Sequence, residues 1–144
     1  MGKVAVVTDS MACIPAELVE AYGIHIIPIY VVFGQKVFRS AIMGSMLQIK
    51  PIISVEGGRA EVLDRPRTKA KAVRRVLEIM ERRVGLNPVH VAVLHGDALE
   101  EAERLRDEVA SRFDCVELLI TEFSPVLGAH AGPGVLGMAF WAEE

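Results

Sequence analysis

Cysteine is scarce in this chain: two residues in 144, Cys13 and Cys115, with no CxxC pair. Both read as small buried hydrophobes rather than ligands. No His, Asp or Glu cluster has metal-ligand spacing either, so neither a disulfide framework nor a metal or other cofactor is expected. Aromatic residues are few (Trp 1, Tyr 2, Phe 5) and the formal net charge is −3. A basic, aromatic-studded surface for nucleic acid is therefore excluded. Long hydrophobic runs are missing too. The longest, Ile24 to Phe33, carries His25 and Pro28 and is too short to span a bilayer. The N-terminus reaches Asp9 before a signal-peptide core can form, and Gly2 lacks the myristoylation pattern. A cytoplasmic protein is expected. The GxSxG, Walker and GxGxxG motifs are all absent, so nothing points to an enzyme.

What is present is apolar residue in excess. The hydrophobic share is 51%, high for a soluble monomer of this size, and that surface must enter a core, a ligand pocket or a subunit interface. Val4 to Val7 reads as a buried strand, and Ala16 to Tyr22 as a helix opened near Pro15 and ended by Gly23. Ile24 to Phe33 reads as one strand and Lys36 to Phe38 as another, turning at Gly34-Gln35. Ala41 to Leu47 suits one or two helical turns. Ile52 to Val55 and Ala60 to Leu63 flank Glu56-Gly57-Gly58-Arg59, a hairpin signal. Thr68–Val84 has the clearest helical period, with Ala70, Val73, Leu77, Met80 and Val84 as its apolar stripe. Its basic residues, among them Arg67, Lys71, Arg74 and Arg82, form a solvated face or a dock for an acidic partner. Val89–Leu94, helix Ala98–Arg112 and Val116–Ile120 form a strand–helix–strand unit. Asp97 with Glu100 is expected to cap that helix, and Ala98, Ala102, Leu105 and Val109 to be buried. The fold class is α/β, a mixed sheet with flanking helices, the sheet formed mainly by Ile52–Leu63, Val89–Leu94 and Val116–Ile120.

Gly128-Ala129-His130-Ala131-Gly132-Pro133-Gly134 is the stretch best suited to a ligand. Read as a loop, it turns on glycines that let a backbone approach a ligand closely, and offers amides and one imidazole to an anion. A turn with an incidental histidine is the alternative. Ser10 and Thr8 sit at the C-terminal end of the first strand, where open α/β sheets bind ligands. His95 reads as a strand-end residue that helps a helix start, and His25 and His90 as structural.

Val4-Ala5-Val6-Val7-Thr8-Asp9-Ser10, Ile14-Pro15-Ala16-Glu17-Leu18, Ile49-Lys50-Pro51-Ile52-Ile53 and the histidine stretch, in this order, resemble the DegV family of bacterial proteins that bind a long-chain fatty acid. The resemblance implies a carrier that hides the acyl tail, clamps the carboxylate and presents it to a separate fatty-acid kinase. It assigns His130 to the carboxylate site with Ser10 beside it. The ligand-binding set is thus His130, Ser10, Thr8, Gly128, Gly132 and Gly134, with no catalytic residue. Met11, Cys13 and Ala131 depart from the family's usual Thr, Asp and Thr.

A larger departure lies between Arg39 and Ser40, where the middle of a much longer family chain is absent. The missing part includes a Thr-Ser-Gln-Pro-Ser-like segment that helps hold the carboxylate. Residues 1–39 then correspond to an N-terminal β-α-β remnant and residues 40–144 to the C-terminal α/β domain, forming one compact unit. Two other readings stand beside the carrier. One is a shortened, self-associating protein without lipid. The other is a substrate-binding subunit like a dihydroxyacetone kinase domain. Apolar residues crowd the seam from both sides, Ile26, Ile27, Ile29, Val31, Phe33, Ile42, Met43, Met46 and Leu47, and predict a homodimer.

Overall fold

Pro28 divides the apolar run that the sequence presents as one strand. The computed structural model, which describes residues 5–9, 14–32, 49–56 and 59–143, places the two halves in different sheets. β2 (His25–Ile27) pairs in parallel with β1 (Val7–Asp9), whereas β3 (Ile29–Val32) lies between two antiparallel neighbours. Proline has no N–H to give a ladder, so the run breaks there. Between β1 and β2 runs α1 (Ala16–Tyr22), closed by Gly23 at φ 58. This is the expected N-terminal β-α-β unit, but its first strand begins at Val7 rather than spanning Val4 to Val7, and Val6 and Val7 are exposed instead of buried. The expected strand Lys36–Phe38, the turns at Ala41–Leu47, the hairpin tip Gly57-Gly58 and Cys13 lie outside the described residues.

β4 (Ile52–Glu56) and β5 (Arg59–Asp64) form the predicted antiparallel hairpin. α2 (Lys69–Val84) follows, with Thr68 as its N-cap accepting from the Lys71 amide at 3.2 Å. Its buried stripe is Ala72, Val76, Leu77, Met80 and Val84. The expected stripe is thus turned slightly: Ala70 is exposed and Val73 half-buried. β6 (Val89–Gly96), α3 (Leu99–Arg112) and β7 (Cys115–Glu122) make the strand–helix–strand unit, its strands parallel. Ala98, Ala102, Leu105 and Val109 are buried as expected. α4 (Pro125–Ala131) and β8 (Val135–Ala142) complete the described elements.

The six-stranded sheet has the order β5-β4-β3-β8-β6-β7. The strands expected from the sequence, β4, β5, β6 and β7, all belong to it, and at its centre β3 and β8 join them, pairing with each other through Val31↔Gly137 and Val32↔Leu136. β8 had no strand signal because four successive residues, Val135 to Met138, are all buried, which erases the period-two alternation. α2 and α3 cover one face and build the main core with Tyr30, Leu77, Met80, Val93, Leu136 and Met138. Tyr30 stacks on Phe140 with ring centroids 5.2 Å apart, and the Arg83 guanidinium lies 5.3 Å over its ring. A smaller cluster of Ile29, Val31, Ala131 and Val135 fills part of the other face, beneath α4. Ile29 and Val31 are therefore core residues and not the exposed seam that the sequence suggested.

Candidate functional site

Of the six residues singled out as a ligand site, four fall in or beside α4 rather than in a loop. Gly128 and the His130 backbone are inside the helix; Gly132 follows it at φ 80 and Gly134 adopts φ 83 in the turn into β8. Ser124 caps the helix by accepting from the Leu127 amide at 3.4 Å, with Pro125 next to it. The loop reading failed because a single Gly inside a helix costs only about 1 kcal/mol, which this local cap and the burial of Ala131 offset. The amides are also committed inside the protein. Gly128 N donates to Ser124 O at 3.0 Å, Gly132 N to Gly128 O at 2.9 Å and Gly134 N to Gly96 O at 2.8 Å. What these glycines offer a ligand is close backbone approach, not free N–H groups. Thr8 is half-buried on β1, opposite Ile26. Ser10 lies outside the described residues.

His95 behaves as the sequence suggested. It is 5% exposed and its Nδ1 accepts from the Ala98 amide at 3.4 Å, so it starts α3. The expected Asp97–Glu100 cap does not form. Asp97 instead takes a left-handed turn at φ 50, and Ala98 is the N-cap residue without a side-chain cap. Among the described residues no group of three His, Cys, Asp or Glu could hold a metal ion. The Cys115 thiol is half-buried and held protonated above its ordinary range by burial, reinforced by Asp114. No helix among the described residues is long and apolar enough to cross a membrane.

The feature that the sequence did not reveal is an apolar cleft of about 270 Å³ on the sheet face away from α2 and α3. Ala5, Val7 and Ile27 form its outer side, from the β1–β2 ribbon; Ala92, Leu119 and Ala139 lie beneath. Since Ala5 and Val7 face the cleft, strand alternation turns Thr8 to the other side of the ribbon. Register explains the depth. Ala139, Ala92 and Leu119 occupy one row across β8, β6 and β7, and two alanines in a row leave space above the sheet. Trp141, His90 and Glu117 form the neighbouring row and also line the cleft.

His90 ties that second row together. Its Nδ1 lies 2.9 Å from Glu117 Oε2 and its Nε2 3.0 Å from Glu143 Oε1. The imidazole stacks on Trp141 at 4.4 Å with planes 4° apart, and His25 stacks on the same ring at 6.1 Å. Both nitrogens can donate to carboxylates only in the imidazolium form, and these two hydrogen bonds raise the His90 pKa above its ordinary value. A larger groove of about 410 Å³ runs between α2 and α3. Ions wall it, including the Lys69–Glu101 pair, Arg74 and Arg104, which suits it less to an alkyl chain. Of the expected ligand residues whose positions are described, Thr8, Gly128, Gly132 and Gly134, none lines either cavity. The signals for the cleft were Ala92, Ala139 and Trp141, whose meaning depends on a register no local pattern supplies.

The chain matches the family model described as "Uncharacterised protein, DegV family" in two segments, residues 3–42 and 39–143. A DegV domain-containing protein of Halalkalibacterium halodurans is 38% identical over 104 residues, covering 72% of this chain and 37% of that protein. Among solved structures, the fatty acid binding DegV family protein of Streptococcus agalactiae has a TM-score of 0.68 at 26% identity, covering 82% of this chain and 45% of its own. A DegV family protein from Thermus thermophilus, described by its fatty acid binding, has a TM-score of 0.66 at 27% identity, covering 81% and 45%. This chain thus spans less than half the length of these relatives. With a match that runs over nearly all of its residues and a shared mixed α/β fold, the chain belongs to the DegV family.

Proposed function

We propose that this protein binds a long-chain fatty acid and acts as a cytoplasmic carrier rather than an enzyme. The observation that carries this reading is the apolar cleft under the β1–β2 ribbon, in a chain whose solved relatives bind fatty acids. A buried alkyl chain contributes about 0.8 kcal/mol per methylene, so such a cleft supplies affinity without any reactive group. At about 270 Å³ it lies near the lower edge of small-molecule sites, roughly 300–1,000 Å³, and suits part of an acyl tail. The resemblance assigns His130 to the carboxylate site with Ser10 beside it; Gly128, Gly132 and Gly134 would let the backbone approach the head group closely, whereas Thr8 faces away from the cleft. It also gives the carrier a kinase-type partner that receives the head group. The side chains of Arg67, Lys71, Arg74 and Arg82 make no ion pair among the described residues and would suit an acidic partner surface. Division at residues 1–39 and 40–144 is supported by the two-segment family match.

Displacement of a fluorescent fatty acid tests this reading. Binding should be measurable in the purified protein and abolished by Ala92→Leu, which fills the cleft floor. His130→Ala should weaken it about ten- to a hundredfold, the loss of one charge-assisted hydrogen bond of roughly 1.5–3 kcal/mol. Absence of binding, with no lipid extracted from the purified protein, would overturn the proposal.

A second reading, self-association, is favoured by one observation. α1 has no buried residue, and Val6, Leu18, Tyr22 and Ile26 of the β-α-β unit are exposed. A two-stranded sheet is at best marginal in isolation, and an uncovered apolar surface of this kind marks an interface. A second copy of the chain would cover it, giving a homodimer that closes the cleft from outside. Sedimentation equilibrium at micromolar concentration should give twice the 15.7 kDa of one chain; a monomer would refute it.

A further inference from the structure

We propose that Trp141, clamped by His90, is the end wall of the cleft and sets the length of alkyl chain it accepts. This inference rests on the reading of the cleft as an acyl-tail site. Trp141 stands one row beyond Ala92 and Ala139, so the floor passes from methyl groups to the largest side chain available within one strand repeat. Several contacts keep that side chain from yielding. The His90 ring lies flat against it, and His90 is held at both nitrogens by Glu117 and Glu143. The strand end is pinned as well, since Glu143 N donates to Pro88 O at 2.9 Å. Packed aromatic surfaces cannot shift for a chain one methylene too long without losing these contacts.

Charge gives the ligand a direction. The groups facing His90 are Glu117 from β7 and Glu143 beyond β8, with the Trp141 and His25 rings stacked alongside. Two carboxylates against a single imidazole ring leave a net negative charge at this wall whether or not the ring is protonated. A fatty-acid carboxylate is repelled from it, whereas a terminal methyl group meets the indole. The tail therefore enters first and its end abuts Trp141.

The test is affinity across a homologous series of saturated fatty acids, measured by displacement for the wild type, Trp141→Ala and Trp141→Phe. In the wild type each added methylene should tighten binding about fourfold until the chain reaches the wall, after which affinity stops rising. In Trp141→Ala the rise should continue to longer chains before it stops. Trp141→Phe keeps a ring for His90 to stack on, guards against loss of folding and should give an intermediate limit. An unmoved limit in both variants would overturn the inference while leaving the binding reading intact. Failure of the wild type to bind any member of the series would defeat the binding reading, and this inference with it.

Discussion

Replacing Gly137 with Ala, a change of one methyl group in the middle of the sheet, should destabilise the protein. Gly137 lies in β8 between Val31 of β3 and Leu94 of β6, and a Cβ there would project toward the Phe123 ring. It would overlap Phe123 Cζ, come within 3.2 Å of Cε2 and sit 3.1 Å from the Tyr30 carbonyl oxygen. Phe123 has little room to withdraw. It packs against the Ile29–Val31–Ala131–Val135 cluster, and its amide donates to His95 O at 2.9 Å. Two effects oppose each other. Ala lowers the entropy of the unfolded chain and would stabilise by about 0.4–1 kcal/mol if the site were open. Overpacking a filled site costs about 1–3 kcal/mol. Because a backbone oxygen as well as a wedged ring must move, the steric cost wins, and the net loss should be about 1–2 kcal/mol. In urea unfolding followed by circular dichroism, the midpoint should fall by roughly 0.5–1 M with an unchanged slope, given slopes of ~1–3 kcal/mol/M. Phe123→Leu in the same background should recover part of the loss, through a coupling of about 0.5–3 kcal/mol. A midpoint that stays or rises in Gly137→Ala, or a strictly additive double variant, would refute the reasoning.

The pH dependence of stability should carry the mark of His90. Its pKa is raised in the folded protein, so its contribution is full below the unfolded value of about 6.5 and is lost as pH rises through the folded value. Stability should decline across that window in the wild type and not in His90→Gln, by no more than ~1 kcal/mol because both glutamates are largely exposed; denaturant midpoints at a series of pH values read it. His95→Ala removes the acceptor for the Ala98 amide and leaves a buried void, and thermal unfolding should show a loss of about 1–3 kcal/mol. Asp97→Val places a β-branched residue at φ 50 and should cost about 1–2 kcal/mol, whereas Asp97→Gly should fold normally; equal stability of the two would contradict the turn described for Asp97.

Elements with a local signature were legible in the sequence. α1 ends at Gly23, α2 shows its helical period and the β6–α3–β7 unit its alternation of strand and helix. The β4–β5 hairpin was visible from its Gly-Gly tip. Each is decided by neighbours a few residues away. β8 was hidden because it is buried on both faces and has no alternation to display. α4 was hidden because Gly128 and Gly132 outweighed the Ser124-Pro125 start signal that stands just before them. The Asp97 cap failed for a related reason, since His95, already fixed at a strand end, reaches the Ala98 amide instead. The cleft is a product of register. It needs Ala92 beside Ala139 and His90 beside Trp141, pairs about fifty residues apart in the chain, and no periodicity encodes which strand lies next to which.

The central position of β8 has a consequence for how the protein comes into being. During synthesis, β3, β4 and β5 emerge as one hydrogen-bonded meander, and β6, α3 and β7 as a separate unit whose strands can pair at once. Neither has a direct ladder to the other, since β8 alone bridges β3 and β6. Until that strand leaves the ribosome, β3 and β6 each present an open apolar edge, and the two halves remain unjoined. Such edges invite pairing with other chains. A strand more than a hundred residues downstream of β3 must then insert between them, a closure of long sequence separation that slows folding. Nascent chains arrested before β8 should accordingly bind chaperones, and release of β8 should be the moment at which protease resistance appears across both halves together.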